Sequence, residues 1–310
     1  MTQCPHCHSS RKTTSRRLQT ADLMKIYGSL GIDVSTDLNG HTTLDLERCD
    51  DCDCLYFYPV LPGSPAFYEQ LMRQTWYYPS EKSEFSFAAR LVNPQDSVLE
   101  IGCGRGAFAE HIRDNDYTGL EYTDASVNAA RERGLNVLRE SIEDYVARTG
   151  RQHDVVCFFQ VLEHVPDVKS FLEAAVACLK PGGLLIISVP SADSFLDCVV
   201  NNILNMPPHH VTRWSEKALN SIAERHGLQV MASEKEVLVD EHLVSYLETL
   251  ALMGLSKRYR ETPPLMDLSF GYRLRIRLAS RFARWLAPVF SKRSLRPVGH
   301  SITFAYRKQP

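Results

Sequence analysis

The hydrophobic positions in the middle of this chain form short continuous runs separated by longer helical repeats. Residues 98–101, 153–160 and 184–189 contain apolar runs of the kind found in strands that are buried on both faces. A helical repeat over residues 168–179 separates the second run from the third. Strands that alternate with helices in this way predict an α/β fold built on a parallel sheet.

The pattern resumes late in the chain. Residues 227–231 and the alternating stretch 301–306 predict the sixth and seventh strands. Residues from about 236 to 297 are therefore an insertion with two helical segments, and the sheet is completed only at the end of the chain. We predict a small module over residues 1–62 and a larger domain over residues 63–310.

Composition narrows the class of protein. The 310 residues are 44% hydrophobic and 23% charged, which is ordinary for a globular protein. A net charge of -2 argues against nucleic-acid binding along the whole surface, so no nucleic-acid partner is expected. We find no apolar signal segment at the N-terminus and no run of 18 apolar residues, so the chain is predicted to be cytoplasmic.

Cysteine spacing indicates a metal site in the N-terminal module. Cys4 and Cys7 form one C-x-x-C pair, and Cys49 and Cys52 form a second. Two such knuckles supply the four sulfurs of a structural zinc site, and a piece this small needs its metal to fold. A thioredoxin-type redox pair is the alternative. Three further candidates for ligands are expected to be surface residues instead: His6, His8 and Cys54.

A glycine-rich segment follows the first apolar run of the sheet. Gly102, Gly104 and Gly106 are spaced G-x-G-x-G, and Glu100 precedes them at the end of the strand. Glycines here let the backbone approach a ligand closely. The spacing differs from the G-x-G-x-x-G of dinucleotide enzymes. A carboxylate at position 100 would repel a pyrophosphate but suits a ligand that carries a cationic amine.

The segment VLEIGCGRGAF resembles motif I of the class I S-adenosylmethionine-dependent methyltransferases, which have a Rossmann-like seven-stranded fold. Further segments match that family in order. The resemblance implies that Glu121 accepts the ribose hydroxyls and that residues 137–144 lie against the adenine. It implies cofactor contacts by these residues: Glu100, Gly102, Gly104, Gly106, Glu121, Ser141, Ile142, Phe159, Gln160 and His164. Gln160 and His164 have an alternative role, in which they only cap the strand end and orient the next helix.

A proline-containing loop is predicted over residues 205–215, with Ser215 starting a helix. The loop leaves the carboxyl end of a strand, so it should overhang the active site. His209 and His210 are its candidates for a general base, His210 slightly ahead, because imidazole titrates near neutrality. Alternatively, both only shape the pocket. Tyr77 and Tyr78 either close over the cofactor or pack between module and core.

The segment 273–290 reads as a basic amphipathic helix, and residues 268–310 contain ten Lys or Arg and no acid. Such a helix lies on an anionic membrane, as a peripheral contact at its inner face, or packs on its own domain or a second subunit.

The segment P-P-H-H-x-x-x-W-S is similar to one in bacterial methyltransferases of polysaccharide and antibiotic-sugar biosynthesis. The resemblance implies methyl transfer from S-adenosylmethionine to a sugar or lipid-linked glycan, with O-methylation favoured over C-methylation. The alternatives are an RNA or protein methyltransferase, or an inactive scaffold that binds S-adenosylmethionine.

Overall fold

The computed structural model describes residues 3–74, 83–290, 292 and 296–309. Tyr77 and Tyr78 lie outside these ranges. The strands are β1 (Lys12–Gln19), β2 (Thr43–Cys49), β3 (Leu55–Tyr58), β4 (Ser97–Ile101), β5 (Asp116–Leu120), β6 (Val137–Leu138), β7 (His153–Phe159), β8 (Leu179–Pro190), β9 (Thr212–Arg213), β10 (Leu228–Val237) and β11 (Val298–Lys308). The helices are α1 (Thr20–Ser29), α2 (Pro65–Met72), α3 (Ser83–Ala89), α4 (Asp124–Glu132), α5 (Ile142–Thr149), α6 (Val168–Ala177), α7 (Glu216–His226), α8 (Asp240–Leu255), α9 (Lys257–Glu261) and α10 (Phe270–Leu286).

The larger sheet has seven strands in the order β10-β11-β8-β7-β4-β5-β6. The five strands from β8 to β6 pair in parallel, and β11 runs antiparallel between β8 and β10. The central strands are almost wholly buried, which explains their continuous apolar runs. The prediction of a Rossmann-like α/β fold with a helical insertion before the last strand is confirmed.

Two predicted element boundaries were wrong. The helix expected over 168–179 ends at Ala177, and β8 already begins at Leu179. The register passes from His153 opposite Leu179 to Val155 opposite Leu184, so residues 180–183 bulge out of the ladder. After the glycine loop the chain forms a 3-10 turn, Phe108–Ile112.

The N-terminal module is a four-stranded antiparallel sheet in the order β1-β2-β3-β9. Its last strand was predicted to be irregular loop. That prediction was wrong for Thr212 and Arg213, which pair with Tyr56 and Leu55. The pairing continues through the Phe57 N–H, which donates to the carbonyl of Val211 at 2.9 Å. The loop thereby satisfies backbone groups at an edge that β3 would otherwise leave unpaired.

The module and the larger domain share one hydrophobic core. Cys4, Cys49, Cys52 and Tyr56 belong to the same buried cluster as Trp214 and the strands of the large sheet. A division of the chain at residue 62 therefore remains a prediction, and the buried contacts run across it.

The insertion between β10 and β11 carries α8, α9 and α10. Ala279 and Ala283 of α10 are buried on the side that faces the rest of the protein, and Ala283 lies in one cluster with Leu243 and Leu247 of α8. Within the described ranges, no helix combines the length and the apolar character that crossing a membrane requires.

Candidate functional site

The glycine loop occupies the carboxyl end of β4, as predicted. Gly102, Gly104 and Gly106 all have left-handed φ values, +69°, +54° and +75°. A β-carbon on Gly102 would come within 2.6 Å of the Val161 side chain, whereas nothing lies within 4 Å of the corresponding position at Gly104. The backbone at Gly104 therefore faces open space, which is the arrangement a close-lying cofactor requires.

Glu121 follows β5 and bridges to this loop. Its Oε2 accepts a hydrogen bond from the Gly104 N–H at 2.9 Å. Its Oε1 accepts from the Tyr122 and Thr123 N–H groups, each at 2.9 Å. Backbone donors thus fix the carboxylate beside the glycine loop, where the resemblance places the ribose.

Glu100 is buried two residues before the loop, with 3% of its surface exposed. Its Oε2 accepts a hydrogen bond from the Tyr117 hydroxyl at 2.5 Å. Burial, followed by the Glu100 charge, raises the pKa of Tyr117 well above its ordinary value, so this phenol keeps its proton. The hydrogen bond holds the carboxylate within the sheet, near the site of the expected amine.

Three predicted cofactor residues have structural tasks. Ser141 caps α5 by accepting the Asp144 N–H at 2.9 Å. The Ile142 side chain is buried in the core, and Phe159 packs edge-on against Phe85 at 5.1 Å between ring centroids. The side chains of Ile142 and Phe159 each complete an apolar cluster, and cofactor contact by either residue stays a prediction.

Gln160 has a left-handed backbone, φ +59°, immediately after β7. Its N–H donates to the Ser188 carbonyl at 2.8 Å, and its side-chain amide reaches Glu84 at 3.2 Å and Ser301 at 3.3 Å. These contacts tie together the ends of three strands and α3. They support the alternative in which Gln160 organises the strand end.

His164, His209 and His210 form a compact cluster. The His164 ring centroid lies 4.5 Å from that of His209 and 4.8 Å from that of His210. The rings of His209 and His210 stack at 4.5 Å. Two residues predicted as a pair, His209 and His210, are thus in direct contact with His164, which the sequence analysis assigned to a different role.

His209 and His210 are buried, and burial determines the charge of both side chains. Exposure is 5% for His209 and 7% for His210. Burial lowers the pKa of both imidazoles well below the ordinary value, and the neighbouring histidines lower it further. Both side chains are therefore neutral at physiological pH.

Two residues around the cluster were missed by sequence reasoning. The Tyr68 hydroxyl of α2 lies 3.1 Å from His164 Nδ1. The Glu163 carboxylate is 1% exposed, and its Oε1 lies 4.0 Å from Nε2 of both His164 and His210. The V-L-E-H-V segment contains Glu163, but only the fold shows that its carboxylate faces two histidines.

The four predicted zinc ligands converge. Sγ of Cys4 lies 3.6 Å from Sγ of Cys52, and Sγ of Cys7 lies 3.5 Å from Sγ of Cys49. All four sulfurs lie within 4.8 Å of one another. Sulfurs around a tetrahedral zinc ion at about 2.3 Å are about 3.8 Å apart, so this cluster fits zinc. Cys4, Cys7, Cys49 and Cys52 would hold the ion, which would supply folding energy and no catalysis.

Two expected surface residues are buried beside this cluster. His6 is 2% exposed and lies against Trp214, with 5.4 Å between ring centroids, and Cys54 is fully buried. The expectation was wrong for both, because the knuckles pack against the larger domain. His8 is exposed as expected.

Comparison of the sequence with known protein families identifies the family of this chain. A family described as "Methyltransferase domain" matches residues 70–233, slightly more than half of the chain. The chain belongs to this methyltransferase family. The match includes the glycine loop, Glu121 and the histidine cluster, so the predictions of a methyltransferase and of S-adenosylmethionine as its cofactor are confirmed at the level of the family.

Curated relatives of this methyltransferase include ubiquinone biosynthesis O-methyltransferases. The protein from Escherichia coli O9:H4 (strain HS) is 33% identical over 151 residues, 42% of this chain and 63% of that protein. The Salmonella arizonae protein is 35% identical over 136 residues, 39% of this chain and 56% of that protein. The chain thus spans less than two thirds of the length of either. Neither is a sugar methyltransferase, so the predicted similarity to sugar enzymes finds no support in them.

Among solved structures, a SAM-dependent methyltransferase from Archaeoglobus fulgidus superimposes with a TM-score of 0.47 at 16% identity. The superposition covers 78% of this methyltransferase and 100% of that chain.

Proposed function

We propose that this methyltransferase transfers the methyl group of S-adenosylmethionine to a hydroxyl oxygen of a small, lipid-borne acceptor, and that the histidine cluster activates that hydroxyl. The single observation that carries the proposal is the position of the cluster. His164 follows β7, the glycine loop follows β4, and these strands are parallel neighbours, so both lie at one edge of the sheet. Val161 contacts the loop at Gly102, which links the two sites directly.

The bound sulfonium supplies an electrophilic methyl group, and the chain's residues do the rest. Gly102, Gly104 and Glu121 hold the cofactor against the sheet edge. His210 or His209 then takes the proton of the acceptor hydroxyl as the O–CH₃ bond forms and the S–CH₃ bond breaks. Burial keeps both imidazoles neutral, so each can accept a proton, and the lowered pKa makes each a weaker base than an exposed histidine. His210 remains the preferred base, and this assignment is a proposal.

The names of the curated relatives, ubiquinone biosynthesis O-methyltransferases, support oxygen as the acceptor atom. A lipid-linked glycan, as the sequence suggested, offers the same hydroxyl chemistry. A ubiquinone precursor and a lipid-linked glycan are therefore two members of one acceptor class, an alcohol or phenol attached to a lipid chain.

The outer face of α10 supports a lipid-borne acceptor. Five apolar residues recur along it, each at least 50% exposed: Phe270, Leu274, Leu278, Phe282 and Trp285. Val289, in the 3-10 turn that follows α10, is 60% exposed. The predicted packing of this face on its own domain does not occur within the described residues, except at Leu286, which packs partly inward. Arginines at 273, 277, 281 and 284 flank the apolar ridge. This combination matches an anionic membrane surface, and we propose peripheral contact there.

We also propose that the N-terminal cysteine cluster holds one structural zinc ion. The convergence of its four sulfurs supports this assignment, and the shared core gives the ion a part in anchoring the 205–215 loop.

The test is methyl transfer from labelled S-adenosylmethionine to four acceptors: a ubiquinone precursor with a ring hydroxyl, a lipid-linked glycan, ribosomal RNA and total protein. Label on oxygen of either lipid acceptor, identified by mass spectrometry, supports the proposal. Label in RNA or protein, on carbon, or in no fraction contradicts it; the last result would indicate an inactive scaffold. His210→Gln and His209→Gln should keep cofactor binding, and at least one should lose turnover at least about 100-fold.

A further inference from the structure

We propose that His164, His209 and His210 form a second metal site, suited to a divalent transition ion such as Zn²⁺. This inference rests on the proposed function only for the identity of the molecule that would meet the ion. One ring nitrogen from each histidine lies within 4.8 Å of those of the other two. Three imidazoles from two separate segments, 164 and 209–210, are the ligand type and number of many catalytic zinc sites.

The hydrogen bonds of the three imidazole rings favour the tautomers that can bind a metal ion. Nδ1 of His209 lies 2.8 Å from the Leu204 carbonyl, and Nδ1 of His164 lies 2.7 Å from the His209 carbonyl. A carbonyl only accepts, so in both rings Nδ1 carries the proton and Nε2 carries the lone pair. His210 Nδ1 lies 3.3 Å from Asn205 Oδ1, which favours the same tautomer. Ligating histidines characteristically donate their second ring N–H to such an oxygen.

The charge around the cluster also suits a cation. The buried Glu163 carboxylate lies 4.0 Å from Nε2 of both His164 and His210. A negative charge beside three neutral imidazoles lowers the cost of holding a dication in a buried place. The His164 ring meets the His209 and His210 rings at 74° and 75°, whereas the His209 and His210 rings stack at 19° to each other. Because an ion lies in the plane of each imidazole that binds it, either His209 or His210 would have to turn its ring on binding.

Three protein ligands leave a coordination position for the acceptor hydroxyl. A hydroxyl bound to zinc loses its proton far more readily than in water, and here that proton would pass to solvent. The ion would then replace the histidine base of the proposed function, because a ring nitrogen that binds zinc has no lone pair left to accept the acceptor's proton. Activation by zinc and activation by a histidine base can be told apart experimentally, because proton transfer to imidazole requires no ion at this site.

The experiment is a count of zinc per chain after exhaustive dialysis of the wild-type protein against buffered micromolar Zn²⁺. Two zinc ions are expected, one on the four cysteines and one on the histidines. X-ray absorption should then show nitrogen scatterers at about 2.0 Å in addition to sulfur at about 2.3 Å. One ion with sulfur scatterers alone overturns the proposal, and this measurement requires no variant to fold.

Variants locate the second ion. His164→Gln and His210→Gln should each hold one zinc ion, and His242→Gln, a matched change of a half-buried histidine in α8, should hold two. Two ions in the cluster variants would overturn the assignment. If two ions bind and no hydroxyl is methylated, the proposed function fails and the site stands. If a chain that holds zinc only on its cysteines methylates at the full rate, the activating role of the second ion fails.

Discussion

The carboxylate of Glu121 accepts the backbone N–H of Gly104 at 2.9 Å. The acid that the family resemblance assigns to the ribose therefore also braces the loop that faces the cofactor. The second oxygen is already occupied by the N–H groups of Tyr122 and Thr123. In the role that the resemblance assigns to Glu121, one side chain would support both the shape of the loop and the affinity for the cofactor.

Glu121→Gln should weaken S-adenosylmethionine binding at least about tenfold, because a charged hydrogen-bond acceptor contributes about 1.5–3 kcal/mol. Titration calorimetry measures the affinity. Glu132→Gln on the exposed end of α4 is the control and should bind like the wild type. Equal affinities for the two variants would show that Glu121 does not carry the cofactor site.

Gly104→Ala should lower the free energy of unfolding by about 1–2 kcal/mol, because alanine is strained at φ +54°. Cofactor affinity should fall as well, since the added methyl group occupies the open space over the loop. Gly254→Ala in α8 also meets nothing within 4 Å but has an ordinary helical backbone, so it should stabilise by up to about 1 kcal/mol. Urea unfolding of both variants compares them. A Gly104→Ala protein as stable as wild type would contradict the expectation.

Cys52→Ser should remove zinc from the module and lower the free energy of unfolding by more than about 4 kcal/mol, because the site lies within the shared core. Metal content and thermal unfolding measure the two effects. Cys198→Ser changes a half-buried thiol outside the cluster and should retain the ion. A zinc-replete Cys52→Ser chain would refute the four-cysteine site.

Phe282→Glu with Trp285→Glu should reduce binding to vesicles of anionic phospholipid at least about tenfold, because the change removes two exposed aromatic side chains and adds two like charges. Co-sedimentation with vesicles measures binding, and neutral phosphatidylcholine vesicles should bind the wild type weakly. Met24→Glu replaces an exposed apolar residue of the N-terminal module and should have no effect. Undiminished vesicle binding by the double variant would exclude α10 as the contact.

His153→Gln should make stability less dependent on pH. Burial lowers the pKa of His153 to about 4, from 6.5. Below pH 6.5 His153 becomes protonated in the unfolded chain but stays neutral in the folded chain. The contribution of this group to the free energy of unfolding is therefore fully present above pH 6.5 and is lost as the pH falls towards 4. Between pH 7 and 5 the wild type should lose about 2 kcal/mol through this group. Glutamine can still bond the Tyr145 hydroxyl, which lies 2.9 Å from His153 Nε2. An unchanged difference between the urea midpoints at pH 7 and 5 would contradict this.

Much of the fold was readable from local pattern. Buried parallel strands carry continuous apolar runs, and the C-x-x-C pairs fix their own geometry, so β4, β7 and the cysteine cluster were predicted correctly in type. The strand Thr212–Arg213 was not, because its two residues have no pattern of their own and are ordered by pairing with β3. Short strands recruited by a distant edge leave little local signal.

The candidate site also combines features that local sequence predicts with features that it does not. The glycine loop could be placed because left-handed backbone needs glycine. The burial of Phe159 and the approach of Glu163 to two histidines depend on packing between segments far apart in sequence. No spacing rule along the chain contains that information.

Through the pairing of β3 with β9, the N-terminal module supports the loop that carries His209 and His210. A chain truncated to start at residue 63 would lose the neighbour of Thr212 and Arg213, and with it the anchor two residues from His210. Replacing the first 62 residues with those of another protein would have the same effect, unless the edge strand of the new module could pair with Thr212 and Arg213. Changes in this module over evolution would thus be expected to be accompanied by changes in the histidine loop, although more than 140 residues separate the two along the chain.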